Sequence, residues 1–328
     1  AGVPFLAHQL AQARESGVRR IVFATSYRAE MFSEAFGDGA AFGLSLEYMT
    51  EETPLGTGGA IRNAAQALSS GPDAPVLVLN GDILSGHDIR DQVRLHVARS
   101  AAVTLHLTEV EDPSRFGCVP TDEEGRVTAF LEKTPNPVTN RINAGCYVFT
   151  RSVIDSIPAG EVISVERETF PNLIKSGAPV LGYADASYWL DVGTPAAFVQ
   201  GSRDLVLGRL VSPALPGPTG DLLALPGALI SAEAKIGGGS VIGARAIVES
   251  GAQVFGSVLG DDCVIRSGAV VVDSVVGVGA RVDSGAVLRE AVIGDGTIVG
   301  SGNELLAGSR VWPGIVLPEC AIRFSSDT

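Results

Sequence analysis

The chain has no apolar run of transmembrane length and no basic-then-apolar signal segment, so neither a membrane partner nor an export signal is legible and the cytoplasm is the expected compartment. Cysteine is scarce. Cys118, Cys146, Cys263 and Cys320 lie far apart and form no Cys-x-x-Cys pair, which argues against a disulfide framework or a zinc site and leaves reduced packing residues. Positive charge is also short: 24 Lys and Arg against 37 Asp and Glu give a net charge of −13, the wrong sign for a nucleic-acid partner. An acidic chain that binds phosphates needs metal ions or a few well-placed Lys and Arg.

Apolar residues are plentiful, at 45% of 328 positions, enough for two ordinary domains. Their arrangement changes once along the chain. From Val3 to about Gly208, short strands (20–24, 44–48, 76–80) alternate with helical periodicity, as in Leu6, Leu10 and Ala13 and in the face within 60–68. That alternation implies a mostly parallel sheet covered on both faces. An antiparallel section follows: a strand over 103–110, a hairpin over 117–133 turning at Asp122-Glu123-Glu124-Gly125, and a strand over 143–150. The expected domains are therefore 1–208, a Pro- and Gly-rich linker over 209–228, and 229–328.

Beyond Ala228 a branched aliphatic leads each hexad: Ile230, Ile236, Ile242, Val248, Val254, Leu259, Ile265, Val271, Val276, Val282, Leu288, Ile293, Val299, Leu305, Val311 and Leu317. Most steps are six residues, but three are five, so Leu259, Val276 and Ile293 recur every 17 positions. Three hexads per coil make a triangular prism with one short parallel strand on each face, the leading aliphatic pointing inward. A β-sandwich would alternate by two instead. Spacing leaves the hand of the coil open.

Four stretches of the first domain are candidates for chemistry. Asn80-Gly81-Asp82 ends the apolar strand Pro75 to Leu79, where ligands of open α/β sheets bind, and a carboxylate after a flexible Gly can hold a hard cation; a plain strand-ending turn is the alternative. Leu55-Gly56-Thr57-Gly58-Gly59 leads into a helix expected over 61–68, and closely spaced glycines let backbone approach a ligand, or simply form a strand-to-helix turn. In Phe130-Leu131-Glu132-Lys133-Thr134-Pro135, neighbouring strand residues face opposite ways, so Glu132 and Lys133 share a ligand only where the strand ends or twists. The alternative there is a solvated charge pair. Last, Asn143-Ala144-Gly145 opens a strand, and Asp191 in Tyr188-Trp189-Leu190-Asp191-Val192-Gly193-Thr194-Pro195 is a second metal carboxylate or a cap-region acid.

Taken together, LGTGGA, NGD, FGCV, FLEKT, INAGCY and YWLDVGTP stand in the order found in the sugar-nucleotide pyrophosphorylases, which the chain resembles over nearly its whole length. With hexads behind them, they are most similar to the guanylyl-transferring branch that acts on mannose 1-phosphate. The resemblance implies a Rossmann-like α/β nucleotidyltransferase domain with a mixed sheet, followed by a left-handed parallel β-helix. It implies GTP and mannose 1-phosphate as partners and Mg²⁺ as cofactor. Asp82 and Asp191 match the metal carboxylates, and Lys133 the sugar-phosphate lysine. Gly117, Glu132 and the Asn143-Ala144-Gly145 stretch match sugar-contacting positions, and Leu55 to Gly59 with Asn80 and Gly81 the nucleotide side. LGTGGA, lacking the Gln or His of thymidylyl and uridylyl relatives, tilts the base toward guanine.

The family opens with a strand, a Gly-rich triphosphate loop carrying an Arg, and a Lys-Pro motif. Ala1 to Phe5 resembles the stretch just after them, so residues 1–328 are expected to be an inactive fragment of an active enzyme, with a gap between the strands at 21–24 and 76–80. Two other occupations compete. Hexad-repeat acyltransferases use a histidine base on the helix, whereas His8, His87, His96 and His106 all precede it. A non-catalytic sensor or scaffold need not keep the carboxylates and the lysine, yet all are present. Manno-heptose 1-phosphate and glucose 1-phosphate remain alternative sugars, and self-association is left open.

Overall fold

The computed structural model describes residues 1–26, 28–133 and 136–323. The chain divides into two compact units, one of Gln9–Trp189 and one of Ala1–His8 with Leu190–Thr328. No helix among the described residues is long and apolar enough to cross a membrane.

The elements run α1 (Phe5–Glu15), β1 (Arg20–Thr25), α2 (Ala29–Phe36), β2 (Ser45–Thr50), α3 (Gly56–Ala64), β3 (Pro75–Leu79), β4 (Ile83–Ser85) and α4 (Ile89–Ala98). They continue with β5 (Val103–Glu109), β6 (Gly117–Cys118), β7 (Leu131–Glu132), β8 (Arg141–Thr150), α5 (Arg151–Asp155), α6 (Phe170–Lys175), β9 (Val180–Ala184) and β10 (Trp189–Asp191). Strand β8 is the spine of a mixed sheet. It pairs antiparallel with β3, β5 and β6, while β5 pairs parallel with β9. The hairpin turn at 122–125 is present: β6 pairs with β7, Thr121 bridges to Val127, and the Gly125 N–H donates to the Asp122 carbonyl. Among the described residues β1 pairs only with β2 and β3 only with β8, so no ladder joins 21–24 to 76–79.

Alternation along β5 separates two layers. Val103, Leu105 and Leu107 enter an apolar core with Phe130, Tyr147, Phe149 and Phe170. Thr104 and His106 face the other way; the His96 ring of α4 hydrogen-bonds Thr104 Oγ1 at 3.0 Å, and Gln92 of α4 donates to the Thr104 carbonyl. Asp88 caps α4, its carboxylate accepting from the Arg90 and Asp91 N–H groups.

Two boundaries differ from the sequence reading. Helix α3 begins at Gly56, so the glycines form its first turn rather than a loop ahead of it, and β8 begins at Arg141. The helix starts early because residues 161–163 lie against those glycines: an added Cβ on Gly59 would stand 2.5 Å from the Glu161 carbonyl oxygen, and one on Gly58 2.8 Å from Ile163 Cγ2.

In the other unit, α7 (Pro195–Val206), capped by Thr194 Oγ1, packs on the strand Ser240–Ile242. The first solenoid strand, β11 (Leu222–Ala224), lies inside the segment that composition marks as linker. Leu223 behaves like a hexad leader: it is buried and pairs in parallel with Val241. Three parallel sheets of six, six and five strands then form a β-helix. Ile265, Val282 and Val299 pair in register and are fully buried, and the other leaders from Ile242 to Leu305 join the same core. At the ends the stack is open: Ile230 is exposed, and Ile236, Val311 and Leu317 are partly buried. Periodicity gave no hint of an internal serine ladder, in which Ser240, Ser257 and Ser274 each accept from the N–H one coil on, at 3.0–3.2 Å.

Candidate active site

The strand alternation that separates Glu132 from Lys133 is broken by backbone conformation. Lys133 has φ +44°, in the left-handed region that non-glycine residues rarely occupy, and its N–H donates to the Phe116 carbonyl. Both charged groups consequently lie to one side, with Nζ 3.9 Å from Glu132 Oε1. Glu132 is paired across the hairpin with Gly117, and its Oε2 lies 3.0 Å from where a Cβ on Gly117 would stand. The carboxylate is thus held over the β6 backbone, with only 24% of its side chain exposed, while the Lys133 side chain is 66% exposed and free to reach an anion. Thr134 and Pro135, expected to end this strand, lie outside the described residues.

Asn143, Ala144 and Gly145 form a bulge in β8. Between the pairs Leu105–Tyr147 and Leu107–Asn143, β8 carries more residues than β5. Gly145 turns the bulge with φ +76° and receives an Asn143 Oδ1 contact on its N–H at 3.2 Å. The bulge aims two polar groups at neighbours: Asn143 Nδ2 donates to the Tyr147 hydroxyl at 2.8 Å, and the Ala144 carbonyl accepts from Trp189 Nε1 at 3.0 Å. Burial pushes the Tyr147 phenol far above its ordinary pKa, so it stays a neutral hydroxyl. Trp189 also meets Phe116 edge to face at 5.5 Å, tying the bulge to the approach to β6.

The same bulge reaches the β3–β4 turn. The Asn80 N–H donates to the Gly145 carbonyl at 2.8 Å, and the turn then presents Gly81 and Asp82 at the surface. Asn80, Asn143 and Gly145 are therefore brought together. Asp191 is half-buried, and its Oδ1 accepts from the Gly193 N–H at 2.8 Å. It falls in the unit that carries the solenoid.

The glycine turn has a structural occupation. The Gly58 and Gly59 N–H groups donate to the Ile163 carbonyl at 2.8 and 3.4 Å, and the Ile163 N–H donates to the Leu55 carbonyl at 2.9 Å. Thr57 Oγ1 donates to Glu166 at 2.8 Å and accepts from the Val165 N–H at 2.9 Å. Glu166 escaped the sequence reading, because a lone acid in Val165-Glu166-Arg167-Glu168 carries no motif of its own. Gly56 and Thr57, the exposed members of the turn, remain at the surface.

No group of three or more His, Cys, Asp or Glu side chains among the described residues forms a metal cage. Asp82 and Asp191 are each an oxygen donor of the kind hard cations accept, and Mg²⁺ needs few protein ligands because it keeps waters and substrate phosphates in its shell. The donor chemistry fits.

A carboxylate-bearing turn after β3, a Glu-Lys pair on a hairpin and the bulged strand β8 between them gather polar groups suited to a phosphorylated ligand. The chain belongs to the nucleotidyl transferase family, which matches residues 1–206, and residues 219–326 match the GMPPB C-terminal domain. It is 53% identical over all of its 328 residues to a mannose-1-phosphate guanylyltransferase from Mycobacterium tuberculosis (strain ATCC 25618 / H37Rv), covering 90% of that protein. A mannose-1-phosphate guanylyltransferase catalytic subunit beta from Drosophila pseudoobscura pseudoobscura is 35% identical over 72% of this chain and 64% of its own length. A crystal structure of HddC from Yersinia pseudotuberculosis complexed with GMP-PN shares the fold, with TM-score 0.51 and 24% identity over 60% of this chain and 83% of that one. The family generally uses a divalent metal.

Proposed function

We propose that the protein forms GDP-mannose and pyrophosphate from GTP and mannose 1-phosphate. The observation that carries this reading is identity to a guanylyltransferase over the whole chain, combined with a Glu132–Lys133 pair whose left-handed backbone turns both charges to one side. An oxygen of the sugar 1-phosphate attacks the α-phosphorus of GTP; a new P–O bond forms as the bond to pyrophosphate breaks. Both reactants are anions, so the protein's task is alignment and charge neutralisation rather than proton transfer.

Lys133, exposed along its side chain, draws the sugar phosphate in against its own repulsion. Glu132, fixed over Gly117, accepts from two sugar hydroxyls, and the bulge at Asn143 to Gly145 closes the sugar side. The guanine contact falls to the exposed Gly56 and Thr57, since the backbone of Leu55 is engaged by Glu51 and Ile163 and the N–H donors of Gly58 and Gly59 by Ile163. Asp82 and Asp191 are each a candidate carboxylate for Mg²⁺, which would supply positive charge to the phosphate oxygens.

Pyrophosphate release by the full-length protein tests the reading. GTP with mannose 1-phosphate should be the preferred pair over UTP, dTTP, glucose 1-phosphate and manno-heptose 1-phosphate. Equal rates with dTTP would overturn the base assignment, and faster turnover of either other sugar the mannose assignment.

A further inference from the structure

The β3–β4 turn that carries Asp82 is held from outside the turn by a buried side chain of α1. Gln9, on α1, is 9% exposed, and its Nε2 donates two hydrogen bonds, 2.8 Å to the Asn80 carbonyl and 2.7 Å to the Ile83 carbonyl. Those carbonyls bracket Gly81 and Asp82. A carboxamide nitrogen has two hydrogens, so Gln9 satisfies both acceptors and fixes the chord across the turn. From the other side the turn is pinned by the Asn80 N–H to Gly145 carbonyl bond. Gln12, one residue short of a turn further along α1, continues the contact by donating to the His87 carbonyl at 3.2 Å. Gly81 contributes no side-chain restraint, so the backbone course from Asn80 to Ile83 is shaped in part by these anchors.

We propose that Gln9 is a positioning residue for the reaction: by clamping both ends of the turn it sets where the Asp82 carboxylate stands, and hence the affinity for the divalent cation. The proposal rests on Asp82 being a metal ligand. Gln9 never touches substrate or metal; it acts through the backbone of residues 80–83. Removing its two donors takes a hydrogen bond from each of the two carbonyls and loosens the turn. Groups that orient a ligand in this way typically alter metal affinity by about 10–100-fold when lost.

The test measures Mn²⁺ binding to the full-length protein by electron paramagnetic resonance, with GTP present and sugar phosphate omitted so that no turnover occurs. Gln9→Met keeps length and bulk but has no donor. Gln9→Glu keeps the shape and has one donor only when protonated. Thermal unfolding without metal reports folding separately. Gln9→Met should raise the Mn²⁺ concentration at half-saturation about tenfold or more, with KM for mannose 1-phosphate changed less than about twofold. Gln9→Glu should bind Mn²⁺ weakly at pH 8 and recover part of the affinity at lower pH, a response that loss of packing alone would not give. Wild-type half-saturation in either folded variant, even with a lowered Tm, overturns the proposal. Asp82→Asn is run in parallel. If it too keeps the wild-type Mn²⁺ response, the assignment of metal to Asp82 has failed; if it alone loses the response, only the role of Gln9 has.

Discussion

Asp82 and Glu132 are both carboxylates in the proposed site, and their surroundings suit them to different work. Asp82 sits exposed on a turn, where an anion meets a solvated cation without first being stripped of water. Glu132 is held against the β6 backbone with a cation on one side only, an arrangement suited to accepting hydroxyl donors. Asp82→Asn should therefore lower kcat at least about a hundredfold while leaving the unfolding temperature nearly unchanged, as lost transition-state charge stabilisation does. Wild-type turnover at saturating Mg²⁺ would remove Asp82 from the site. Glu132→Ala should instead act on KM for mannose 1-phosphate, raising it about 10–100-fold through the loss of hydrogen bonds to a charged acceptor worth roughly 1.5–3 kcal/mol. An unchanged KM in steady-state assays would show that Glu132 does not meet the sugar.

At the scale of elements, legibility in the sequence followed the reach of the cause. The solenoid was readable because each coil repeats one local rule, and the leaders from Ile242 to Leu305 are buried as that rule requires. Short strands and the 122–125 turn were readable for the same reason. The start of α3 was not: Gly56 to Gly59 turn helical because residues more than a hundred positions away lie against them, and no local pattern encodes that approach. Gln9, Glu166 and Trp189 likewise owe their roles to partners distant in sequence. Two substitutions measure these elements. Gly59→Val would set a Cβ 2.5 Å from the Glu161 carbonyl oxygen, so α3 must part from 161–163; the expected cost is about 1–3 kcal/mol, read as a lowered midpoint in urea. Val282→Asp puts a charge into a fully buried stack and should cost about 3–5 kcal/mol, seen as rapid hydrogen exchange at the amides of 264–299 with protection in β5 and β8 retained. Native protection across 264–299 in that variant would mean that the buried register is not what holds the coils together.

At the scale of the molecule, the two units differ in what acid can reach. Apart from His8, the histidines lie in the Gln9–Trp189 unit, and His87, just ahead of α4, and His96, on it, have their pKa values pushed down to about 4. Burial is the main cause for both; for His87 the stacked ring of His106, 3.8 Å away, adds to it. An unfolded histidine takes up its proton near pH 6.5. Between about pH 6.5 and 4 the unfolded state therefore binds protons that the folded state refuses, and stability falls as pH falls through that window. For His87 the slope is at most about 1.4 kcal/mol per pH unit. The other unit holds His8, whose pKa burial likewise pushes down to about 4, but the solenoid coils themselves carry no histidine and lose nothing this way. Its relevant groups are carboxylates such as Glu249, held low chiefly by its hydrogen bond from Arg266, and Asp262, held low chiefly by that from Arg245. A depressed carboxylate contributes stability that is intact above its unfolded pKa, near 4, and is lost only as pH drops further. Hydrogen exchange followed from pH 7 to pH 4.5, corrected for the intrinsic pH dependence of exchange, should therefore show protection fading in α4, β5 and β8 while Ile265, Val282 and Val299 stay protected. Parallel loss in the solenoid coils, or none in α4, would show that these buried rings do not set the acid limit of the nucleotidyltransferase unit.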